Sequence, residues 1–278
     1  MGGHHAISGT AGALALAGTT GVSLGVIDAG SGMSLASFAA MVTGAALLPD
    51  ADHHNATIAH SLPKLGPLPS PSEIICRMIG KISGGHRHGT HSIIGIAAFV
   101  ALAMLLGQLR YGGLAIGAAI VGFVLTSFAL KALKLSGPFS VLPWGLSLAV
   151  AGFVMKEFDT DPFMLPLAVG LGCAIHIVGD MATTDMCPIL YPLNPKAPKA
   201  PKGFEHIPVL GSCWDDKGSF GFPILGNAGS IREWILCLVF TGYVVLAATT
   251  EAGIFDPGAW ATLPHFDEIK TGLTDPLG

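Results

Sequence analysis

The sequence predicts an all-α, polytopic membrane protein: a transmembrane helical bundle of about seven spans with a polar loop region on one face. Mean hydropathy is +0.62. Only 12% of the residues are charged, against about 25% in soluble domains. The charges are also segregated, so that long stretches such as residues 6–27 carry none. The net charge of −4 and the lack of a basic stripe argue against a nucleic-acid partner. The five cysteines are odd in number and widely spaced, without a CxxC, which indicates neither a disulfide framework nor a cysteine-rich zinc knuckle. The start lacks a basic segment ahead of its apolar run, so the first helix is expected to be retained rather than cleaved.

The first span is residues 6–27, rich in Ala and Gly, with Gly21 and Gly25 as a GxxxG pair of the kind that lets helices approach closely in lipid. The second is residues 33–48, short for a full crossing. It ends in Pro49-Asp50-Ala51-Asp52-His53-His54, and a Pro-rich connector follows at 62–69. Ser70-Pro71-Ser72-Glu73 has the pattern of a capping box with Pro at the first helical position. The helix it opens, residues 72–83, carries Ile74, Ile75, Met78, Ile79 and Ile82 on one face, with Arg77 and Lys81 on the other. It reads either as an interfacial amphipathic helix or as a loop helix packed on the protein.

Residues 93–107 form the third span, and Arg110 marks the turn after it. The fourth, 112–130, contains Gly113 and Gly117 as another GxxxG. The fifth, 139–155, includes Pro143 as a candidate kink. The sixth, 163–181, carries His176 and Asp180 near its end. A polar loop at 182–231 holds two candidate short edge strands, 207–210 and 220–225. The seventh span is 234–248. One transmembrane domain, residues 1–250, is thus expected, followed by an acidic tail at 251–278.

Counting crossings places the polar clusters together. His4 opens span 1, Asp50 and Asp52 close span 2, and His86, Arg87 and His91 precede span 3. His176 and Asp180 close span 6, and Glu233 opens span 7. With seven spans all of these fall at one membrane face. On that face lie Lys64, Arg77, Lys81, Arg87, Lys131, Lys134, Lys196, Lys199, Lys202, Lys217 and Arg232; only Arg110, Lys156 and Lys270 lie on the other. The positive-inside rule then makes the site face cytoplasmic and the tail external.

His176-x-x-x-Asp180 has i,i+4 spacing, so both side chains project from one face of a helix. Two such groups near a membrane boundary are costly unless paired or metal-bound. His86 and His91 flank a turn at Gly89 and could converge on one ion, and Asp50-x-Asp52 supplies oxygen ligands. Mixed His and carboxylate sites without cysteine suit zinc, with manganese or iron as alternatives. The candidate ligands are His4, Asp50, Asp52, His86, His91, His176, Asp180 and Glu233. They exceed one tetrahedral site and point to two ions, an arrangement suited to phosphoester hydrolysis. Asp52 or Glu233 would move the proton. Arg87 would hold a phosphate oxygen or serve simply as a juxtamembrane charge. His53 and His88 lie beside these residues, whereas His5, His54, His60, His206 and His265 read as surface residues.

These residues carry a resemblance. Gly3-His4, Leu47-Leu48-Pro49-Asp50-Ala51-Asp52-His53, Gly85-His86-Arg87, Thr90-His91-Ser92, His176-x-x-x-Asp180-Met181 with Thr183, and Gly226-Asn227 leading to Glu233 recur in order. In this pattern the chain resembles the YdjM-like family of LexA-regulated, membrane-bound metal-dependent hydrolases. Where that family has His-Arg-Gly-x-Thr-His-Ser, this chain has His-Arg-His-Gly-Thr-His-Ser, with His88 in place of a glycine. The resemblance implies metal-dependent hydrolysis at a bacterial inner membrane, with those His and acidic residues as ligands.

The expected function is therefore a membrane-embedded hydrolase of phosphoesters such as lipid head groups, with membrane lipid or a small phosphoester as its partner. No G-x-S-x-G is present, which disfavours a serine hydrolase. The rivals are a metal-ion transporter and a non-catalytic membrane scaffold with a structural metal. A transporter would carry ionisable residues at mid-membrane, and the middles of spans 1 to 5 and 7 have none.

Overall fold

The computed structural model describes residues 2–30, 32–61, 67–135, 141–197 and 213–258. Eight α-helices occur among them: α1 Gly2–Ala17, α2 Met33–Ala45, α3 Pro71–Ser83, α4 Ile93–Gly107, α5 Ile116–Ala132, α6 Val141–Glu157, α7 Met164–Met181 and α8 Ile231–Glu251. The segment 220–225, expected as an edge strand, takes part only in isolated bridges such as Cys187 with Phe220. The other candidate strand, 207–210, lies outside the described residues, as do positions 259–278 of the tail.

The bundle is built around α2. This helix packs on α1, α5 and α7, and Phe38, Met41, Val42 and Ala45 are fully buried along it. Close approach is set by single glycines. A Cβ on Gly44 would overlap the backbone of Leu125 in α5, and one on Gly172 of α7 would meet the Val42 carbonyl and Ala45. Small residues are what permit such contact between apolar helices. Of the two GxxxG pairs expected to do this work, only Gly117 does: a Cβ there would overlap the Leu106 backbone of α4, whereas Gly21 and Gly25 lie beyond the end of α1 and Gly113 sits in the turn before α5 with φ of 84°. Absence of charge extended the first span to residue 27, but glycine disfavours helix whatever the hydropathy.

Among the described residues, three helices are long and apolar enough to cross a membrane: Met33–Asp52, Met164–Met181 and Ile231–Glu251. That is fewer than the seven expected, because α1, α4, α5 and α6 have 15 to 17 residues each. Pro143 falls in the first turn of α6, where a missing N–H breaks no helical bond and no kink is needed.

Several elements position the site. Pro49 stops α2 and opens a 3₁₀ turn, Pro49–Asp52. Ser70 caps α3 by accepting from the Glu73 N–H at 3.2 Å, with Pro71 at the first helical position. Helix α3 lies across the Pro49–Asp52 turn, where Gly80 leaves room for the Asp52 carbonyl. Its buried residues are Ser72, Cys76 and Ser83, while Ile74, Ile75, Met78 and Ile82 face outward. The packed face is thus the small, polar one, and the apolar stripe is left to the surroundings. At the opposite end of the bundle Glu251 accepts from Thr19 and Thr20, so α1 and α8 run parallel and are tied at both ends.

Candidate metal centre

Four donor atoms from three elements converge at one end of the bundle. Asp50 comes from the 3₁₀ turn, His91 from the short turn Gly89–His91 before α4, and His176 and Asp180 from the last turns of α7. His91 Nε2 lies 3.3 Å from His176 Nε2, 3.5 Å from Asp180 Oδ2 and 3.8 Å from Asp50 Oδ1. His176 Nε2 lies 3.6 Å from Asp180 Oδ2 and 3.7 Å from Asp50 Oδ1. Tetrahedral coordination with bonds of about 2.0–2.2 Å requires donors about 3.3–3.6 Å apart. Asp180 Oδ2 is buried and makes no hydrogen bond.

The tautomers sharpen the fit. His176 Nδ1 is 2.7 Å from the Ala46 carbonyl oxygen and must donate to it, so a neutral His176 presents a bare lone pair at Nε2. His91 Nδ1 lies 3.2 Å from the Thr90 hydroxyl and 3.5 Å from Asp52 Oδ2, which assigns its proton to Nδ1 in the same way. Two lone pairs and two carboxylate oxygens therefore face one another with no donor among them. A cation resolves this, and a histidine ligand whose other nitrogen donates to a carbonyl or carboxylate is the usual arrangement at a metal. Both imidazole side chains are 0% exposed, while Asp50 retains 20%.

Asp52 stands outside the set of four. In a 3₁₀ turn each residue rotates about 120°, so Asp50 and Asp52 point in different directions from the same short element. Asp52 Oδ1 accepts from His86 Nδ1 at 2.8 Å. Its Oδ2 accepts from the Arg87 N–H at 2.9 Å and the Thr90 hydroxyl at 2.6 Å. That carboxylate holds the His86–His91 loop in place, and Arg87 adopts a left-handed φ of 58° to reach it. His86 thus points its Nδ1 at Asp52 and is itself half-exposed. Donating this hydrogen bond to the Asp52 carboxylate raises the pKa of the His86 imidazole above its ordinary value.

Arg87 reaches past this loop to Asp180 Oδ2 at 3.3 Å and Asp185 Oδ2 at 3.2 Å. Its Nη1 makes no hydrogen bond. His4 and Glu233 form a separate pair, Nδ1 to Oε1 at 2.5 Å, with Glu233 also accepting from the Gly229 N–H. Glu233 occupies the third position of α8 under a Ser230 cap, so it also serves that helix end. The chain leading to it is tied back by Thr184, whose hydroxyl donates to Asn227 at 2.8 Å.

His5, read from sequence as a surface residue, is buried. It stacks on His176 with ring centroids 3.8 Å apart, and its Nε2 is 3.4 Å from Asp180 Oδ1. Beginning the first helix at residue 6 left His4 and His5 in a tail, whereas α1 begins at Gly2. Consecutive helical residues diverge by about 100°, which sends His4 to α8 and His5 to α7. His54 and His60 are exposed as expected, and His206 and His265 lie outside the described residues.

The chain matches the family model described as YdjM inner membrane protein over residues 1–253. It belongs to that family. The match spans every residue of the centre and agrees with the motif resemblance. No curated protein and no solved structure matches the chain. Membership of the YdjM family makes this an inner membrane protein by its family description, which names no reaction.

Proposed function

We propose that this YdjM-family protein is a metal-dependent hydrolase of phosphoesters at the membrane surface. The observation that carries the reading is the focus of four acceptor atoms, Asp50 Oδ1, His91 Nε2, His176 Nε2 and Asp180 Oδ2, with no donor among them. Zinc fits this mixed set, with manganese or iron as the other candidates. When bound, the ion would supply Lewis-acid activation of water and of the ester oxygen. The donors support one ion more readily than the two suggested by ligand number. Among the described residues, each three-residue group that could hold an ion, His5–His176–Asp180 and Asp50–His91–His176, needs His176. Its Nδ1 is committed to Ala46, so a single lone pair is on offer.

The chain's own groups divide the remaining work. Asp52 orients His91 and fixes the loop that carries Arg87. The Arg87 guanidinium, placed against Asp180 and Asp185 beside the centre, is the cation nearest the site and would suit an anionic ester oxygen. Glu233, paired with His4, is the acid placed to move a proton. The shorter helices also belong in the membrane in this reading, giving seven crossings with the site cytoplasmic. At 15 to 17 residues they reach about 22–26 Å, slightly under a hydrocarbon core of about 30 Å, and local thinning accommodates such a mismatch. Ile93, Ile94, Leu102 and Leu105 of α4 are all exposed, which water would not tolerate as one surface.

The test is metal content per chain in detergent-purified protein, for wild type beside His91→Ala and Asp180→Ala. One transition-metal ion in the wild type and none in either variant is the expected result, and a screen of phosphoesters with the loaded protein follows. No stoichiometric metal after zinc and manganese are added back would refute the proposal.

A further inference from the structure

A cavity of about 660 Å³ lies between α1, α7 and α8, within the range of about 300–1,000 Å³ typical of ligand sites. One end is polar, formed by His4, His5, Asp180 and Glu233. Away from that end the walls are hydrocarbon: Ala11 and Ala15 of α1, Ile175 of α7, and Leu236, Phe240 and Tyr243 of α8. The space exists because of how α8 is held. It packs on α1, is tied to it at both ends, and does not pack closely on α7. Between them α1 contributes only small side chains along Ala11, Gly12 and Ala15.

Two features identify what this space fits. From Glu233 to Tyr243 the wall runs about 15 Å along α8, about half the length of that helix. One leaflet of a hydrocarbon core about 30 Å thick is about 15 Å deep. The cavity thus starts at the membrane face that carries the metal centre and ends near mid-bilayer. It also opens sideways: Val239 lines it and is yet 59% exposed, as an edge residue of a lateral opening would be.

We propose that this cavity is a slot for one hydrocarbon chain of a membrane lipid. The lipid enters sideways between α7 and α8 and sets its phosphoester head group beside His5 and Asp180. The inference deepens the hydrolase reading and rests on it for the fate of the head group. The slot gains little hydrophobic free energy, since the chain leaves one apolar medium for another. Its contribution is positional. A chain held along α1 fixes the depth and orientation of the ester, and such positioning lowers the entropic part of a barrier. A soluble phosphoester would leave the apolar part of the cavity without a partner.

The experiment uses the full chain in bilayer nanodiscs containing phosphatidylglycerol with a photoactivatable diazirine near the end of one acyl chain. After irradiation, labelled residues are mapped by mass spectrometry. Labelling concentrated on 11–15 of α1 and 236–243 of α8, well above that of the lipid-facing Leu102 and Leu105 of α4, is the expected result. Val239→Trp and Ala15→Trp, which fill the slot from opposite walls, should each lower the slot labelling several-fold while leaving α4 labelling unchanged. Equal labelling of slot and α4 in the wild type overturns the proposal whatever the variants do, as does slot labelling that neither variant reduces. The two readings also fail separately. Slot labelling without hydrolysis of any phosphoester removes the hydrolase and keeps the slot. Hydrolysis of a short-chain soluble phosphoester without slot enrichment does the reverse.

Discussion

Under the proposed metal centre, replacing Asp52 by Asn separates a residue that would hold the ion from one that would hold a ligand in place. Sequence spacing makes Asp52 a ligand like Asp50, whereas the structure commits both of its oxygens to His86, Arg87, Thr90 and His91. An Asn side chain keeps the shape but turns one oxygen into a donor. If the new NH₂ group faces Arg87 N–H and Thr90, two donors collide and a buried N–H loses its partner, at about 1–3 kcal/mol. If it faces His86, that imidazole can change tautomer and accept, so this orientation wins. The loop then survives, and the loss is the carboxylate charge behind His91 Nδ1. Removing such a partner costs about 10–100-fold in metal affinity, or about 1.4–2.7 kcal/mol. Competition against a chelator of known zinc affinity, with wild type, Asp52→Asn and Asp180→Ala side by side, measures this. Asp52→Asn should bind one ion with affinity reduced within that range, while Asp180→Ala should bind none. If Asp52→Asn abolishes binding as Asp180→Ala does, Asp52 is a ligand and the positional argument is wrong. Unchanged affinity would refute it equally.

Other consequences are open to simple assays. Gly44→Ala drives a Cβ into the Leu125 backbone; overpacking of this kind costs about 1–3 kcal/mol, visible as a lower melting temperature in detergent. In metal-free protein, NMR titration should give His86 a pKa above the ordinary value of 6.5, and Asp52→Asn should remove that elevation. Because the folded value is raised, the His86–Asp52 pair stabilises fully below pH about 6.5. That contribution disappears as pH rises through the folded value, so the melting temperature of the wild type should fall over this window more than that of His86→Gln. Arg110 and Asp159 form a bidentate pair between two loops at the other end of the bundle, but both are solvent-exposed. Arg110→Gln should therefore leave the melting temperature unchanged, and a marked drop would show that the pair does more than the exposed geometry suggests.

What the sequence revealed and what it concealed follow from the range of the interactions. Residues 93–107 form the α4 expected of them, and α7 begins one residue from its expected start, because an uninterrupted apolar run bounded by polar residues is a local signal. The i,i+4 pair His176 and Asp180 is local too, and the structure brings its donors within 3.6 Å. Asp50 and Asp52 show where spacing stops being informative. Two carboxylates two residues apart diverge or converge according to whether the backbone is extended or wound into a 3₁₀ turn, and Pro49 winds it. Glycine was read through its motif, although its effect depends on what lies opposite. Gly44 is invisible in sequence because its partner, Leu125, belongs to another helix. His5 was lost to a four-residue error in where α1 begins. A helix start at Gly2 separates His4 from His5 by a third of a turn, and each then finds its own carboxylate, Glu233 on α8 and Asp180 on α7. Those two contacts flank the polar mouth of the cavity. The same first turn of α1 therefore ties α8 to the bundle and packs against the candidate metal centre, so the proposed slot and the proposed centre share one element.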